Sequence, residues 1–355
     1  MRSLAVSGGV GLGFLLRRHA LLGLMVAAYA VVAFWLSRIY GVSASGEKVG
    51  ALIRHFVTYV PQMIFFVVFW RLLQLTYVER VPDRFGALKA EVIRFLSERE
   101  RLAGGAIAVV IMTIMLISFA QLKNLIPTLN PFSWDVAFMN LDRTLHFGWL
   151  PHEPLLAVFG GYYSISFFTG IYNVWLLLMY FVLLMACFLR PESQVRMQYL
   201  VAFVLTWAIG GNLIATLFSS AGPVYFGPLG LGDTYDGLMQ RLQDHAATGA
   251  LTVVETQNLL WRFYSMDTSI NAISAFPSMH VASSTLMAIF AYRLSRLAGV
   301  VMTLFAVSMM IGSVLLAWHY AVDGYAGAVI AIACWYAAGI LVRRFGGFGA
   351  ELRQP

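Results

Sequence analysis

Two histidines and one aspartate lie in a pattern that could perform phosphoryl transfer. His280 closes the run Phe276-Pro277-Ser278-Met279-His280, and His319 lies four residues before Asp323. Residues four apart share one face of a helix, so the carboxylate of Asp323 can orient the His319 imidazole and stabilise its cation. One histidine would then attack phosphorus, while the other protonates the leaving oxygen.

The residues before His280 suit an anion. We expect Pro277 in the first turn of a helix, where its missing N–H costs nothing. The free N–H groups of that turn and the Ser278 hydroxyl would then bind a phosphate. Two other interpretations stay open at this point: His280, His319 and Asp323 could hold a metal, although a fourth ligand is needed, or each could be only a polar anchor or a helix cap.

The elements that must position these residues are membrane helices. The chain has 355 residues, 60% of them hydrophobic and only 12% charged, against about 25% charged in soluble domains. The mean hydropathy of +0.76 excludes an ordinary soluble protein. The net charge of +7 lies at the ends of apolar runs, which indicates membrane orientation and no nucleic-acid partner. Cys187 and Cys334 lie inside apolar runs, where packing is their expected role.

The sequence predicts an all-α, polytopic membrane bundle. Eight apolar runs are near the ~20 residues that a bilayer requires. They cover residues 19–38, 56–76, 102–122, 170–189, 197–218, 277–296, 300–318 and 322–342.

The charges between the runs predict the orientation. With the N-terminus in the cytoplasm, 17 Lys and Arg residues lie inside and 7 outside. The positive-inside rule therefore places both termini in the cytoplasm and the three candidate residues at the outer face. The inner membrane of a bacterium is the expected location.

The segments between the spans predict further elements. Residues 79–101 predict a cytoplasmic surface helix, and residues 128–152 an interfacial helix and turn. Gly160-Gly161 and Gly170 are candidate breaks in the long run 154–189. The outer loop 219–276 is the longest stretch without a span, and loops of this length are commonly functional.

The motifs resemble those of the type-2 phosphatidic acid phosphatase superfamily. Its second motif reads Pro-Ser-Gly-His, similar to Pro277-Ser278-Met279-His280, and its third ends in His-x-x-x-Asp, similar to residues 319–323. The form of both motifs is most similar to the branch that contains inositol phosphorylceramide synthases. Residues 142–148 and Ser220-Ala221-Gly222-Pro223-Val224-Tyr225 resemble segments of the same branch.

The resemblance implies roles for the three residues. His319 would be the nucleophile, Asp323 its orienting partner and His280 the general acid. It also implies a six-helix core, which here occupies residues 102–345, preceded by two N-terminal spans and the surface helix within residues 1–101. Ser278 and Tyr225 are expected to bind substrate.

The sequence departs from the superfamily pattern in its cations. The Lys-x6-Arg-Pro motif is absent, and Ser313 stands where the third motif has arginine. Charge on the phosphate must therefore be stabilised by other residues. The outer cations are Lys123, Arg143, Arg241 and Arg262. We expect Arg143 and Arg262 to serve, with headgroup anchoring as the alternative for each.

The predicted function is an integral membrane lipid phosphatase or phosphotransferase. It would act through a phosphohistidine on a membrane lipid phosphate, with water, an alcohol or a lipid as acceptor. Neither a cofactor nor a metal is expected, because the chain itself supplies nucleophile, acid and phosphate-binding amides. The competing hypothesis is a non-catalytic lipid-binding or lipid-transport protein on the same bundle, which the missing cations would favour.

Overall fold

The computed structural model describes residues 12–41, 46–249, 252–266 and 273–346. Fourteen α-helices occupy these ranges: α1 (Leu12–Ile39), α2 (Gly46–Leu73), α3 (Arg84–Ser97), α4 (Arg99–Leu129), α5 (Asp135–Leu145), α6 (His152–Phe159), α7 (Tyr162–Cys187), α8 (Gln194–Leu205), α9 (Ala215–Leu217), α10 (Asp236–Thr248), α11 (Thr252–Ser265), α12 (Met279–Tyr292), α13 (Arg296–Leu315) and α14 (Ala321–Phe345). Two π-helical segments extend them: Gln74–Val78 follows α2, and Thr206–Ile214 joins α8 to α9. A short 3₁₀ turn lies at Pro223–Tyr225.

The polytopic helical bundle is confirmed. Among the described residues, seven helices are long and apolar enough to cross a membrane: Gly13–Ile39, Val60–Val78, Arg99–Leu129, Tyr162–Cys187, Gln194–Leu217, Arg296–Leu315 and Ala321–Phe345. The sixth predicted span, 277–296, is only the 14-residue helix α12. Leu286 and Phe290 of α12 are fully buried. Since protein and not lipid surrounds this helix, it does not need the full thickness of the bilayer.

The predicted surface helices are present with shorter bounds. The helix within 79–101 is α3, whose N-terminus is capped by the Asp83 carboxylate accepting the Gly86 N–H. The interfacial helix within 128–152 is α5. Gly160-Gly161 separates α6 from α7, as predicted, whereas Gly170 lies inside α7 without breaking it. The long loop 219–276 carries α10 and α11.

The N-terminal helices pack on the rest of the bundle to different degrees. Leu22 and Val26 of α1 belong to the same buried cluster as Ala108 and Met112 of α4. By contrast, α2 keeps large apolar side chains such as Trp70 exposed, which suits a lipid-facing helix. The predicted boundary at 101/102 falls in the first turn of α4, and two separate domains remain a prediction.

Close backbone approach brings the helices of the C-terminal half together. A Cβ built on Gly327 of α14 would lie 2.4 Å from the Ser278 carbonyl oxygen. A Cβ on Gly222 would lie 2.7 Å from the Trp318 carbonyl oxygen, and Gly222 has a φ of 97°. Side chains at these two positions would therefore push apart the segments that carry His280 and His319.

Candidate active site

The structure brings His280, His319 and Asp323 together at one end of the bundle. The Nδ1 atom of His319 lies 3.3 Å from Asp323 Oδ2, and its Nε2 atom lies 3.4 Å from His280 Nδ1. Asp323 is completely buried and His319 is almost so. The carboxylate thus lies on one edge of the imidazole and the second histidine on the other, in the order that the sequence suggested.

The start of α14 fixes His319 and Asp323 relative to each other. Tyr320 is the N-cap residue of α14, and its backbone N–H donates to Asp323 Oδ2 at 3.0 Å. His319 therefore precedes the helix instead of sharing a helical face with Asp323, as the four-residue spacing had suggested. The Ser278 N–H donates to the Asp323 carbonyl oxygen at 2.9 Å. This bond ties the segment before His280 to the one that carries the carboxylate.

The start of α12 differs from its predicted form. Ser278 is the N-cap residue, so Pro277 precedes the helix instead of lying in its first turn as predicted. The Ser278 hydroxyl accepts the Val281 N–H at 3.4 Å and is fully buried. A serine oxygen satisfies the free N–H groups of a first turn in this way, and the hydroxyl is therefore engaged within its own helix.

Aromatic side chains of α7 surround His280. The Tyr172 hydroxyl lies 3.0 Å from His280 Nδ1. The Trp175 ring lies 4.0 Å from the imidazole, between ring centroids, and its indole N–H donates to Ser283. Sequence patterning did not single out either residue, because an aromatic in an apolar span is indistinguishable from a packing residue.

Two buried carboxylates of α5 hold the backbone around the site. Asp142 accepts the N–H groups of Ala321 and Val322, at 2.8 and 2.9 Å, in the first turn of α14. Burial raises the pKa of Asp142, while these two hydrogen bonds oppose the rise. Carboxylates favour helix N-termini for this reason. Asp142 thereby fixes the turn that carries Asp323.

Asp135 makes equivalent contacts to the segment that leads into the 3₁₀ turn at Pro223–Tyr225. Its carboxylate accepts the N–H groups of Ala221 and Gly222 and the Tyr320 hydroxyl, at 2.8 to 3.1 Å. Burial raises the pKa of Asp135, and the backbone hydrogen bonds oppose the rise. Asp135 and Asp142 together connect α5 to both sides of the site. The sequence signal for Asp142 was its place in the 142–148 motif, whereas Asp135 had none.

Several polar atoms beside the histidines have no protein partner. Within the described ranges these include Ser219 Oγ, Ser220 Oγ, Trp318 Nε1 and Asp323 Oδ1, all buried. The Ser220 carbonyl accepts the Ala275 N–H at 2.9 Å, and Ala275 in turn hydrogen-bonds the His319 ring through its backbone. Buried hydroxyl and indole groups are normally hydrogen-bonded, so these donors are available to a ligand.

The environment of His319 keeps it neutral. Burial lowers the pKa of His319 to about 3, an effect that the Ala275 backbone opposes and the positive charge of Lys123 reinforces. An imidazole must be neutral to act as a nucleophile. His319 is therefore neutral throughout the neutral pH range.

The predicted substrate-binding residues lie in different surroundings. Arg143 and Arg262 are exposed, and the charge of Arg143 acts on Tyr235. Tyr225 is buried, donates its hydroxyl hydrogen to the Gln257 carbonyl at 3.1 Å and stacks on Trp261. Its observed contacts thus attach α11 to the bundle. The cation whose charge acts on both histidines is Lys123.

A family model described as the PAP2 superfamily matches residues 136–337, more than half of the chain. The chain belongs to the PAP2 superfamily. The matched region contains both histidines and Asp323, whereas Asp135 and Lys123 precede it. No curated protein and no solved structure matches the chain. Membership supports a lipid phosphatase or phosphotransferase type of activity, with a lipid phosphate as substrate.

Proposed function

We propose that this protein transfers the phosphoryl group of a membrane lipid phosphate to water or an alcohol through a phosphorylated His319. The observation that carries the proposal is the order Asp323–His319–His280, with the carboxylate on Nδ1 and the second imidazole beside Nε2. A carboxylate on Nδ1 leaves the Nε2 lone pair free to attack. Lipid binding or transport alone would require no such arrangement.

The proposed reaction has two steps. Nε2 of His319 forms a bond to phosphorus as the bond from phosphorus to the leaving oxygen breaks. His280 takes a proton from the bound phosphate monoester and gives it to the leaving oxygen. Water or an alcohol then attacks the phosphohistidine. Its proton passes to His280, and the P–N bond breaks. The same residues serve both acceptors, so phosphatase and phosphotransferase share one mechanism.

Substrate entry requires one adjustment of the site. The two facing nitrogens of His319 and His280 are 3.4 Å apart, which leaves no room for a phosphorus and its leaving oxygen between them. The His280 ring must therefore turn away from His319 when the phosphate binds. The Tyr172 hydroxyl, at hydrogen-bond distance from His280 Nδ1, is placed to stabilise one of these positions.

The positions of the three residues favour a reaction without a metal. Asp323 and His280 lie at opposite nitrogens of the His319 ring, so one ion cannot bind all three side chains. Within the described residues, no group of three or more His, Cys, Asp or Glu side chains forms a candidate metal site. We therefore expect activity to survive a strong chelator and vanadate, which mimics pentavalent phosphorus, to inhibit.

The 17 to 7 asymmetry of basic residues supports a reaction at the outer face. Arg196, one of the 17 inner basic residues, is fully buried. Without it, the inner basic residues still far outnumber the outer ones. Gly237 lies on exposed α10 at the catalytic end, and Glu192 is exposed in the turn between α7 and α8 at the other end. A cysteine at Gly237 should react with an impermeant thiol reagent in intact cells, and one at Glu192 should not. The reverse labelling would contradict the outer-leaflet substrate.

The activity itself is tested with the purified full chain. A panel of lipid phosphates, with and without alcohol acceptors, is incubated with the wild type and with His319→Ala. Release of free phosphate identifies a phosphatase, and a new lipid phosphoester identifies a transferase. Equal turnover by both proteins, or none by the wild type, would reject the proposed reaction.

A further inference from the structure

The phosphate site lacks the basic residues that its superfamily motifs would supply. The segment from Ser219 to Gly222 offers only neutral donors, among them the hydroxyls of Ser219 and Ser220. Ser313, in the place of the arginine of the third motif, donates its hydroxyl hydrogen back to the Met310 carbonyl. A phosphoryl group in transfer carries charge that neutral donors stabilise less than a cation does.

Lys123 lies on the face of α4 that packs toward the site. Phe119, one turn earlier on the same face, packs edge-on against Trp207 with ring centroids 4.6 Å apart. It also fills the space beside Gly211, whose added Cβ would lie 2.8 Å from the phenyl ring and 3.4 Å from Met279 Sδ. Met279 is the residue before His280. One turn beyond Phe119 places Lys123 about 5 Å further toward the catalytic end.

A contact at the C-cap of α4, about two turns beyond Lys123, agrees with this position. The Asn130 side-chain amide donates to the Thr216 carbonyl at 2.8 Å. The helix α4 therefore stays against the Thr206–Leu217 segment on both sides of Lys123, and the lysine is enclosed between those two contacts. Its charge acts on His280 and on His319.

Lys123 has no carboxylate partner in the part of the chain that the structure describes, where the salt bridges involve other residues. It is only partly exposed within an apolar helix. A cation within a membrane bundle is costly and normally pairs with an opposite charge. The anion that fits beside two catalytic histidines is the substrate phosphate.

We propose that Lys123 is the cation that binds the non-bridging phosphoryl oxygens and stabilises them during transfer to and from His319. The proposal rests on the proposed phosphoryl-transfer function. It assigns a catalytic residue to a helix that precedes the matched family region, and it replaces Arg143 and Arg262 as the main source of positive charge.

The test compares Lys123→Met with Lys89→Met, an exposed lysine of α3, in the purified full-length protein. Loss of one preorganised charge donor should lower kcat about 10²-fold or more, while Lys89→Met should stay within about twofold. Removal of the positive charge should also move the acidic limb of kcat/KM to higher pH, because Lys123 lowers the pKa of His319. The other ionisable groups that face His319 are His280 and Asp323, and neither is changed.

A second variant separates charge from packing. Lys123→Cys is treated with aminoethyl methanethiosulfonate, which restores a primary ammonium, or with methyl methanethiosulfonate, which adds a neutral group. The wild type carries Cys187 and Cys334, which are buried. Its activity with each reagent gives the background. We expect the amine reagent to restore activity at least tenfold above the neutral one.

The outcomes distinguish this proposal from the function on which it rests. An active wild type with Lys123→Met within threefold of its kcat would overturn the role of Lys123 and leave the function intact. Equal activity after both reagents, or failure of both variants to fold, would overturn it as well, because the lysine would then serve packing. A wild type without turnover would reject the function itself.

Discussion

Two buried histidines at opposite ends of the bundle have very different partners. At one end, His19 Nδ1 lies 2.7 Å from the Leu15 carbonyl oxygen, and its Nε2 lies 3.0 Å from Arg196 Nη2. Arg196 also donates to the carbonyl oxygens of Gly104 and Cys187. At the other end, His319 faces a carboxylate and a second histidine, beside buried donors that have no partner.

The comparison shows that burial alone does not identify a functional histidine. Arg196 is fully buried and uses two of its three guanidinium nitrogens on backbone and His19, so it joins the ends of three helices as a structural group. Arg196 Nη1 also lacks a partner, but the His319 end leaves several different groups, hydroxyl, indole and carboxylate, unsatisfied, which is costly unless a ligand uses them. The kinds of hydrogen-bonding partner therefore distinguish a histidine in a packing network from one in a candidate catalytic site.

The largest expected effect is a loss of activity at the His319 end, without a matching loss of stability. His319→Ala should lower kcat/KM by at least about 10³-fold, because the nucleophile is lost. The melting temperature should change little, since the two side-chain contacts of the His319 ring are long, at 3.3 and 3.4 Å, and its other hydrogen bond is to the Ala275 backbone. Activity assays and thermal unfolding in detergent would measure both. A variant that kept more than about a tenth of wild-type activity would contradict the nucleophilic role.

The next largest effect is a loss of stability at the Arg196 end, without a matching loss of activity. Arg196→Met leaves the Gly104 and Cys187 carbonyls and His19 without their donor, and each unsatisfied buried group costs about 1–3 kcal/mol. We expect a clear fall in thermal stability and in folded yield, with kcat per folded molecule within about twofold of wild type. A catalytic loss at unchanged stability would remove the distinction between the two ends.

A smaller effect tests how α5 positions the site. Asp142→Asn keeps the size of the side chain, but the amide cannot accept from Ala321 and Val322 with both terminal atoms. The start of α14 should loosen and kcat should fall about tenfold, consistent with a loss of orientation and not of a reacting group. KM should change little. The matched control is Asp244→Asn on exposed α10, whose carboxylate accepts only from Gln240, and it should behave as wild type.

The pH dependence of kcat/KM distinguishes the buried His319 from a solvent-exposed histidine. Because burial lowers the pKa of His319 to about 3, its neutral form persists as the pH falls through 6.5, and protonation removes the nucleophile only near the lowered pKa. The acidic limb of kcat/KM that belongs to His319 should therefore lie well below pH 6. An apparent pKa near 6.5 that disappears in His319→Ala would show a solvated histidine instead.

The smallest effects are expected at the exposed arginines. Arg143→Ala and Arg262→Ala should raise KM by a few-fold at most and leave kcat unchanged, because screened surface charges contribute little. This is the behaviour of headgroup contacts. A fall of kcat comparable to that of Lys123→Met would restore these arginines as the charge-stabilising groups.

Much of the architecture could be predicted from the sequence because membrane spans follow from local composition. The apolar runs, the break at Gly160-Gly161 and the surface helices at α3 and α5 are encoded within short windows. The short helix α12 was overestimated as a span, since hydropathy cannot distinguish a helix enclosed by protein from one that contacts lipid. The predicted group of His280, His319 and Asp323 depended on motifs with fixed spacing.

The supporting residues could not be predicted because their roles depend on contacts across the chain. Asp135 reaches Ala221 and Tyr320, and Lys123 acts on two histidines far away in sequence. The prediction chose Arg143 and Arg262 among the outer cations because both lie beside aromatic residues near the interface. Local sequence cannot show that a lysine within a span faces the interior of the bundle. The role of Ser278 in substrate binding stays a prediction; the structure shows its hydroxyl accepting the Val281 N–H.

The most direct measurement is the location of phosphate on the enzyme during turnover. Wild-type protein is mixed with a lipid phosphate substrate, quenched rapidly in base and digested, and the peptides are analysed by mass spectrometry. The account predicts a phosphoryl group on His319 that is stable in base and labile in acid, and that is absent from His319→Ala. Turnover that leaves no phosphate on the enzyme under single-turnover conditions, or phosphate on His280 instead, would contradict it.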